Sequence, residues 1–560
     1  MIEILPDDVL LNIFRHCLHA SPRSWPELAH VCRGWRQVIL NSPLGLDLRL
    51  YCTYGTPVLE TLECWPPLPL VMNYGGSPKF DPPSPEDEEN IMVALKHTDR
   101  VGSISLTVTN SLLGRLSTIS EPFSELEELF LMSRDNVRLT LPGAFRWGSR
   151  LHTLRSTRFA IPTLPQLLSP STGLVNLQLH EVPNIGCFPP DAFAKALSGM
   201  TRLETLSLHF HSLPPRRNYV GLSPQLRERV VLPSLTCLQY RGTSKYLDTF
   251  VARIDAPRLG DIDITFFSQP TMDASQLGRF IERIELQTLP SQAEVQISAH
   301  VISISSTNSS ASTRLRLQIP CKQLDWQLSS MTQVCDQFSP FLRHVKNLGI
   351  DTTQSSSGQN DVGSEQWVEL VRSFGGAKDF RVAGIHATDI LCALHAADGG
   401  HTTDTTVLTA LCNIRVQGSM PTDGSLWDAV QSLITSRLLS DHPLQLQVLC
   451  HICDARFTEG QGLITHLRVM HEYFIVCSYC DDFKIRPEQP LQFLPEHLER
   501  RHPEVVVRND PFIRNARLSY FRTSELLRLV NRHTSLRAPD IAAPSTTAPH
   551  SDAPRDPSVA

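Results

Sequence analysis

A multidomain α/β chain is predicted from three observations. A helical apolar period fills the first 45 residues, an apolar triplet of strand type recurs from about residue 100 to 420, and two cysteine/histidine sets with metal-ligand spacing stand near the C-terminal end. Length agrees, because 560 residues exceed one ordinary core and correspond to about three or four domains. With 41% hydrophobic residues, 19% charged residues and a net charge of −6, the composition is globular and supplies no polycationic field to draw nucleic acid. Glu3, Asp7 and Asp8 precede any basic residue, and no apolar run approaches bilayer length. The expectation is no signal peptide, no membrane contact and a location in the nucleus or cytoplasm.

From Asp7 to Cys17, Val9, Leu10, Ile13, Phe14 and Cys17 share one helical face, and Leu5-Pro6 opens the helix. A second stretch places Leu28, Val31, Cys32, Trp35, Val38 and Ile39 at helical spacing. These segments, LPDDVLLNIFRHC and ELAHVCRGWRQVILNSP, resemble an F-box of the variant frequent in fungal proteins. The matching positions are Leu5, Pro6, Val9, Leu10, Ile13, Phe14, Val31, Cys32, Arg33 and Trp35. The resemblance implies a helical module, residues 1–45, that docks on the Skp-type adaptor of a cullin ubiquitin ligase, with Leu5, Pro6, Val9, Leu10, Ile13, Phe14, Val31 and Trp35 as partner-binding residues. Two positions depart from that pattern: Ser24-Trp25 stands where an Asp-Leu pair is usual, and Leu44-Gly45 where Leu-Trp is usual.

Residues 46–100 are expected to link and connect, with the Pro-rich, acidic segment 75–90 a flexible surface stretch. From 101 to 420 the pattern L-x-x-L-x-L marks short strands at Val101/Ile104/Leu106, Leu126/Leu129/Leu131, Leu151/Leu154, Leu174/Leu177/Leu179, Leu203/Leu206/Leu208, Leu235/Leu238/Tyr240 and Leu259/Ile262/Ile264. Successive starts lie 25, 25, 23, 29, 32 and 24 residues apart. Val345/Leu348/Ile350, Ala377/Phe380/Val382 and Leu411/Ile414/Val416 continue it at longer spacing, with return helices at 190–200, 273–284 and 365–374. This is the signature of a degenerate leucine-rich-repeat-like α/β solenoid, the alternative being an irregular α/β domain. The stretch 285–335 fits poorly. The leucines are expected to be core, and residues beside them, such as Thr205, Ser207 and His209, to form the recognition surface.

The first metal-type set is Cys450-x2-Cys453-x12-His466-x4-His471 and the second is Cys477-x2-Cys480-x16-His497-x4-His502. A C-x2-C knuckle supplies two thiolates and a histidine pair one helical turn apart supplies two imidazoles, which is what tetrahedral zinc requires. With Phe457 and Leu463 at the core positions, the first set resembles a C2H2 zinc finger. The second is looser, because Pro487, Pro490 and Pro495 interrupt the stretch where its helix should run. Two structural zinc ions and small ββα units are therefore expected over 445–505. The other ten cysteines, Cys17 to Cys412, are scattered singly and expected to be buried thiols. Residues 506–537 hold Arg508 to Arg537 interleaved with apolar residues and read as a basic amphipathic helix, packed on the fingers or contacting nucleic acid or an acidic partner. From 538 to 560 the chain is too poor in large apolar groups to fold.

Three function classes are open to such a chain. The first is a non-catalytic substrate-recognition subunit of a Skp–cullin–F-box ubiquitin ligase, partnered by a Skp-type adaptor, the cullin ligase and a protein target of unknown identity. The second is a zinc-finger nucleic-acid-binding or regulatory protein. It is disfavoured, since the base-reading helix positions would be Glu459, Gly462 and Thr465, and 450–502 carries six Lys/Arg against eight Asp/Glu. The third is an enzyme, which four-ligand, closed zinc sites and the lack of a nucleophile or phosphate-loop motif argue against. No catalytic residue is assigned.

Overall fold

The structure is a computed structural model that describes residues 5–75, 83–133, 139–140, 148–161, 163–169, 171–212, 229–284, 291–308, 311–355, 362–398, 407–417, 425–439, 444–449, 456–457, 474–477, 484–485, 500–501 and 534–537. It divides into two compact units, Met1–Leu348 with Gly358–Ala377, and Gly349–Ser357 with Lys378–Ala560.

The first unit opens with three helices, α1 (Asp7–Ala20), α2 (Trp25–Val31) and α3 (Arg33–Asn41). Pro6 caps α1 in an extended conformation, its carbonyl accepting from the Val9 and Leu10 amides, and Asp7 and Asp8 place negative charge at the positive end of the helix dipole. The helical period of 28–39 predicted one continuous helix, but Cys32 breaks it. Its backbone is extended (φ −157°, ψ 169°) and its Sγ accepts from the Trp35 amide, so it ends α2 and caps α3. Leu10, Phe14 and Leu18 of α1 bury against Ala29, Val38 and Ile39, with Trp35 edge-on to Phe14 at 4.8 Å between ring centres.

Trp25 ties this small unit to the sheet. Only 1% exposed, its Nε1 donates to the Arg49 carbonyl (2.8 Å) and its ring meets Trp65 edge-on at 4.6 Å. Leu46 and Leu48 are buried, and the Arg23 guanidinium lies 5.2 Å from the centre of the Tyr51 ring. The segment 46–100, expected as linker, therefore already contains sheet: Leu50–Thr53 pairs in parallel with Leu70–Tyr74, and that strand with Val101–Val108.

Within 75–90 a flexible stretch was expected, yet α5 (Pro85–Leu95) follows α4 (Val58–Cys64) in order. The acidic residues make it possible. Ser84 and Asp87 form a reciprocal capping box, Pro85 occupies the first turn, and Glu88 accepts from Thr109 Oγ1 (2.8 Å) and Ser111 Oγ (3.0 Å). Composition suggested a solvated run, but these carboxylates have specific partners.

Beyond Val101–Val108 the parallel ladder runs through Glu128–Ser133, Thr153–Thr157, Asn176–Val182, Thr205–Phe210, Cys237–Gly242, Asp261–Phe266 and Ala311–Pro320, neighbour to neighbour. A strand stands at each triplet from 101 to 264. The register aligns Cys52, Met72, Ile104, Leu129, Leu154, Leu177, Leu206, Leu238, Ile262 and Leu315 in one row, none more than 4% exposed. Helices between the strands pack on that face; among them, Phe193 of Pro190–Ala196 meets Phe250 of Ser244–Val251 at 5.5 Å, and Asp248 accepts from the Gln276 and Leu277 amides at the start of Ser275–Arg283.

Where the period failed, in 285–335, the chain makes an antiparallel meander of Gln292–Ser298, Val301–Asn308 and Ala311–Pro320. Alternation such as Ile302-Ser303-Ile304-Ser305 suits strands that reverse directly, without a return helix, so one repeat spacing is lost.

In the second unit, Asp379–Gly384 pairs in parallel with Asn413–Gln417, and that strand with Gln445–Leu449. Helices Ala387–Asp398 and Ser425–Leu439 are locked by Arg437, which is 1% exposed, binds the equally buried Asp398 and donates to the Val407 and Leu408 carbonyls. A buried ion pair survives only when its remaining donors are satisfied, as they are here. Gln445–Leu449 also pairs antiparallel with Arg456–Phe457. Phe474–Cys477, which runs into the second metal-type set, is the middle strand of a small sheet with Lys484–Ile485 and Thr534–Arg537. The expected basic helix therefore does not reach Arg537; the rest of 506–533, and the tail 538–560, lie outside the described residues.

Substitutions at two positions test this packing. Leu206→Ala should cost about 2–5 kcal/mol and, because Leu206 sits between Leu177 and Leu238, should accelerate amide exchange on both adjoining strands together. Exchange confined to Thr205–Phe210 would show that strands do not share a core. Trp25→Phe keeps the ring but loses the bond to Arg49, costing about 1 kcal/mol, whereas Trp25→Ala should cost about 3–5 kcal/mol and expose 41–50 to limited proteolysis.

Candidate functional site

The apolar residues of α1 and of the turn before it divide into two stripes. Leu10 and Phe14 enter the core, while Leu5, Val9 and Ile13, spaced four apart, remain 39%, 38% and 42% exposed. Pro6 is exposed, Trp35 is half-covered by its contact with Phe14, and Val31, at the end of α2, is 60% exposed. The single face expected from the sequence is thus a buried stripe and a solvent-facing one about 100° apart on the helix. Leu44, absent from the expected set, is 93% exposed. Its signal was available: it comes after the last proline of the segment, where an apolar residue has no helix to join.

The second surface is the polar face of the ladder. Of the three residues expected to be open there, Thr205 and His209 are half-buried and Ser207 is buried. Ser207 Oγ lies 3.4 Å from His180 Nε2 and 3.3 Å from His209 Nε2, and the two imidazoles meet edge-on at 4.6 Å. Burial pushes the His209 pKa down to about 4, helped by His180 and Arg241; burial and then Arg155 lower that of His180. Both rings are therefore neutral near pH 7, and the hydroxyl can donate to one and accept from the other. Among the described residues no carboxylate hydrogen-bonds either ring, so the cluster lacks the third member that would orient a catalytic base.

The register also sorts the charges on this face. Asp261 lies opposite Arg314 and Asp263 opposite Arg316. Arg155 lies between Phe130 and Gln178, and Arg241 between His209 and Thr265. Glu181 is engaged by Arg158 at 2.6 Å, which holds its carboxyl below the usual range.

Of the expected metal ligands, Cys450, Cys453, His466, His471, Cys480, His497 and His502 lie outside the described residues, and Cys477 is described only as backbone. Among the described residues no group of three or more His, Cys, Asp or Glu could hold a metal ion. The flanks of both C-x2-C pairs are described. Val448↔Phe457 and Leu449↔Arg456 pair antiparallel across 450–455, and Ile475↔Ile485 and Val476↔Lys484 across the second pair. The ten remaining cysteines are free thiols; only Cys52 and Cys335 are buried, and Cys17, Cys64, Cys392 and Cys412 are exposed, because most fall on helix surfaces or loops rather than in the leucine rows.

No helix among the described residues is long and apolar enough to cross a membrane. No match was found among curated proteins. Residues 2–44 match the F-box-like family. The three-helix unit at the N-terminus, with its stripe of exposed apolar side chains, is an F-box-like domain.

Proposed function

We propose that this chain is a non-catalytic substrate-recognition subunit of a Skp–cullin–F-box ubiquitin ligase, acting in the nucleus or cytoplasm. The carrying observation is the F-box-like match over 2–44 together with Leu5, Val9, Ile13, Val31 and Leu44, large apolar side chains that the domain's own core does not use. F-box domains bind Skp-type adaptors, and such a face offers the buried anchors that dominate an interface. The cullin-bound machinery would supply the chemistry, so no catalytic residue is needed here.

The parallel ladder is read as a leucine-rich-repeat-like solenoid that captures the target. Its support is the shared row of buried apolar residues from Cys52 to Leu315, since stacked repeats bury a continuous core. The two cysteine/histidine sets are read as structural zinc sites of ββα type. What favours this is the antiparallel pairing on either side of each C-x2-C pair, which is where a zinc knuckle sits in a finger hairpin. Zinc there would be held by Cys450, Cys453, His466 and His471, and by Cys477, Cys480, His497 and His502, and would supply folding energy rather than reactivity.

Pull-down with a purified Skp-type adaptor tests the main reading. Val9→Asp with Ile13→Asp, both on the solvent-facing stripe, should reduce adaptor capture at least tenfold without altering the far-UV spectrum, since each buried anchor is worth about 1–4 kcal/mol. Unchanged capture by this folded variant means the domain does not dock there. For the metal sites, elemental analysis of the purified full chain should give two zinc per chain, and Cys453→Ser one. Because ligand thiolates compete with protons, zinc should be released as pH falls below neutral. A chain without zinc that keeps its fold sinks the zinc reading.

A further inference from the structure

We propose that the polar face of the ladder between Arg155 and Arg241 docks an extended acidic peptide, its carboxylates on the two guanidiniums and over the His180–His209 pair. This rests on the reading of the ladder as the capture surface and names what it captures.

The first support is charge pairing by register. Elsewhere on this face arginines have acidic neighbours: Arg314 and Arg316 lie opposite Asp261 and Asp263, and Arg158 binds Glu181. Arg155 and Arg241 are exposed, and the residues in register with them are Phe130, Gln178, His209 and Thr265. Between them lie the strands Asn176–Val182 and Thr205–Phe210, which carry the histidine pair. Glu181, the carboxylate that acts on both rings and on Arg241, is already engaged by Arg158 at 2.6 Å, with His211 at 4.0 Å.

Spacing sets the ligand's form. Arg155 and Arg241 are three strands apart and, since the row of Arg155 runs through Gln178 and Ser207 to Gln239, two residues apart along the strand, which together make about 16 Å at the usual spacings. A peptide crossing the ladder in extended form rises about 3.3 Å per residue, so acidic side chains about four positions apart fall on one side of it and reach both guanidiniums. Each can be held by paired N–H···O bonds, the geometry that makes arginine selective for carboxylates. Two guanidiniums so separated, on a chain of net charge −6, do not form the continuous basic track that a nucleic-acid backbone needs.

The histidines add a dependence on pH. In the free protein burial, Arg155 and Arg241 keep both imidazoles uncharged near neutrality, against the opposing pull of Glu181. A carboxylate placed over them favours the imidazolium, so docking takes up protons and strengthens as pH falls from about 7.5 to about 5.5. In that state both rings donate and Ser207 Oγ, between them, becomes an acceptor for either.

The test is fluorescence anisotropy with the full chain and a labelled Gly/Ser decapeptide carrying three glutamates at alternate positions, the outer two four apart and the middle one over the histidines. Saturable binding is expected, weakened at least tenfold by replacing the glutamates with glutamine, and equally by Arg155→Glu with Arg241→Glu. In His180→Gln with His209→Gln, the gain in affinity on lowering pH should vanish, and a gain that remains overturns the part given to the histidines. Adaptor pull-down by the arginine variant should be unchanged, showing that it is folded and that adaptor docking is separate. Absence of binding at millimolar peptide, or equal binding by the arginine variant, overturns the inference while leaving the adaptor reading standing. Binding only by a phosphoserine version of the peptide overturns the assignment to carboxylates.

Discussion

The row of apolar side chains from Cys52 to Leu315 is the constraint on which the larger unit depends. Each residue in it is covered by the strands on either side and by the helices packed beneath, and no strand has enough apolar surface to be stable alone. Register therefore cannot slip. A shift of one residue would turn the leucines to solvent and bring Arg155, His209 and Arg241 into the core. The same alternation that fixes the core fixes the opposite face, so the charge arrangement there is a by-product of how the leucines pack. Core and candidate surface are two readings of one register.

Much of this was legible in the sequence because period is a local property. The triplets from Val101 to Ile264 mark strands at the positions where strands stand, and Leu5-Pro6 marks the start of α1. What the sequence concealed is what neighbours decide. Ser207 looked exposed by alternation but is buried between two imidazoles supplied by its own strand and the adjoining one. The acidic residues after Pro85 looked like a solvated run, yet Asp87 closes a capping box and Glu88 bonds hydroxyls more than twenty residues away. Cys32, placed on a continuous apolar stripe, breaks the helix instead, since helical spacing cannot distinguish one helix from two separated by a capping residue.

The candidate docking stripe shows the same limit. Val9, Leu10, Ile13 and Phe14 lie on one broad apolar arc, and the sequence could not divide it into inward and outward halves. Helices α2 and α3 make that division by covering only Leu10 and Phe14. The metal ligands are the opposite case: their spacing carries the chemistry outright, and the described strands add only that each C-x2-C pair is flanked by paired backbone.

Trp25 stands where an aspartate–leucine pair is usual in the family, and its indole is spent on Arg49 and Trp65. The F-box-like domain is consequently not a portable cassette. Grafted onto another scaffold, residues 5–44 would carry an indole with neither its acceptor nor its ring partner, an unpaired donor on an open apolar floor. In its own chain the same indole fastens the helices to Arg49, the residue that leads into the first strand of the ladder, so a load taken up by the helices would pass into the sheet through one side chain.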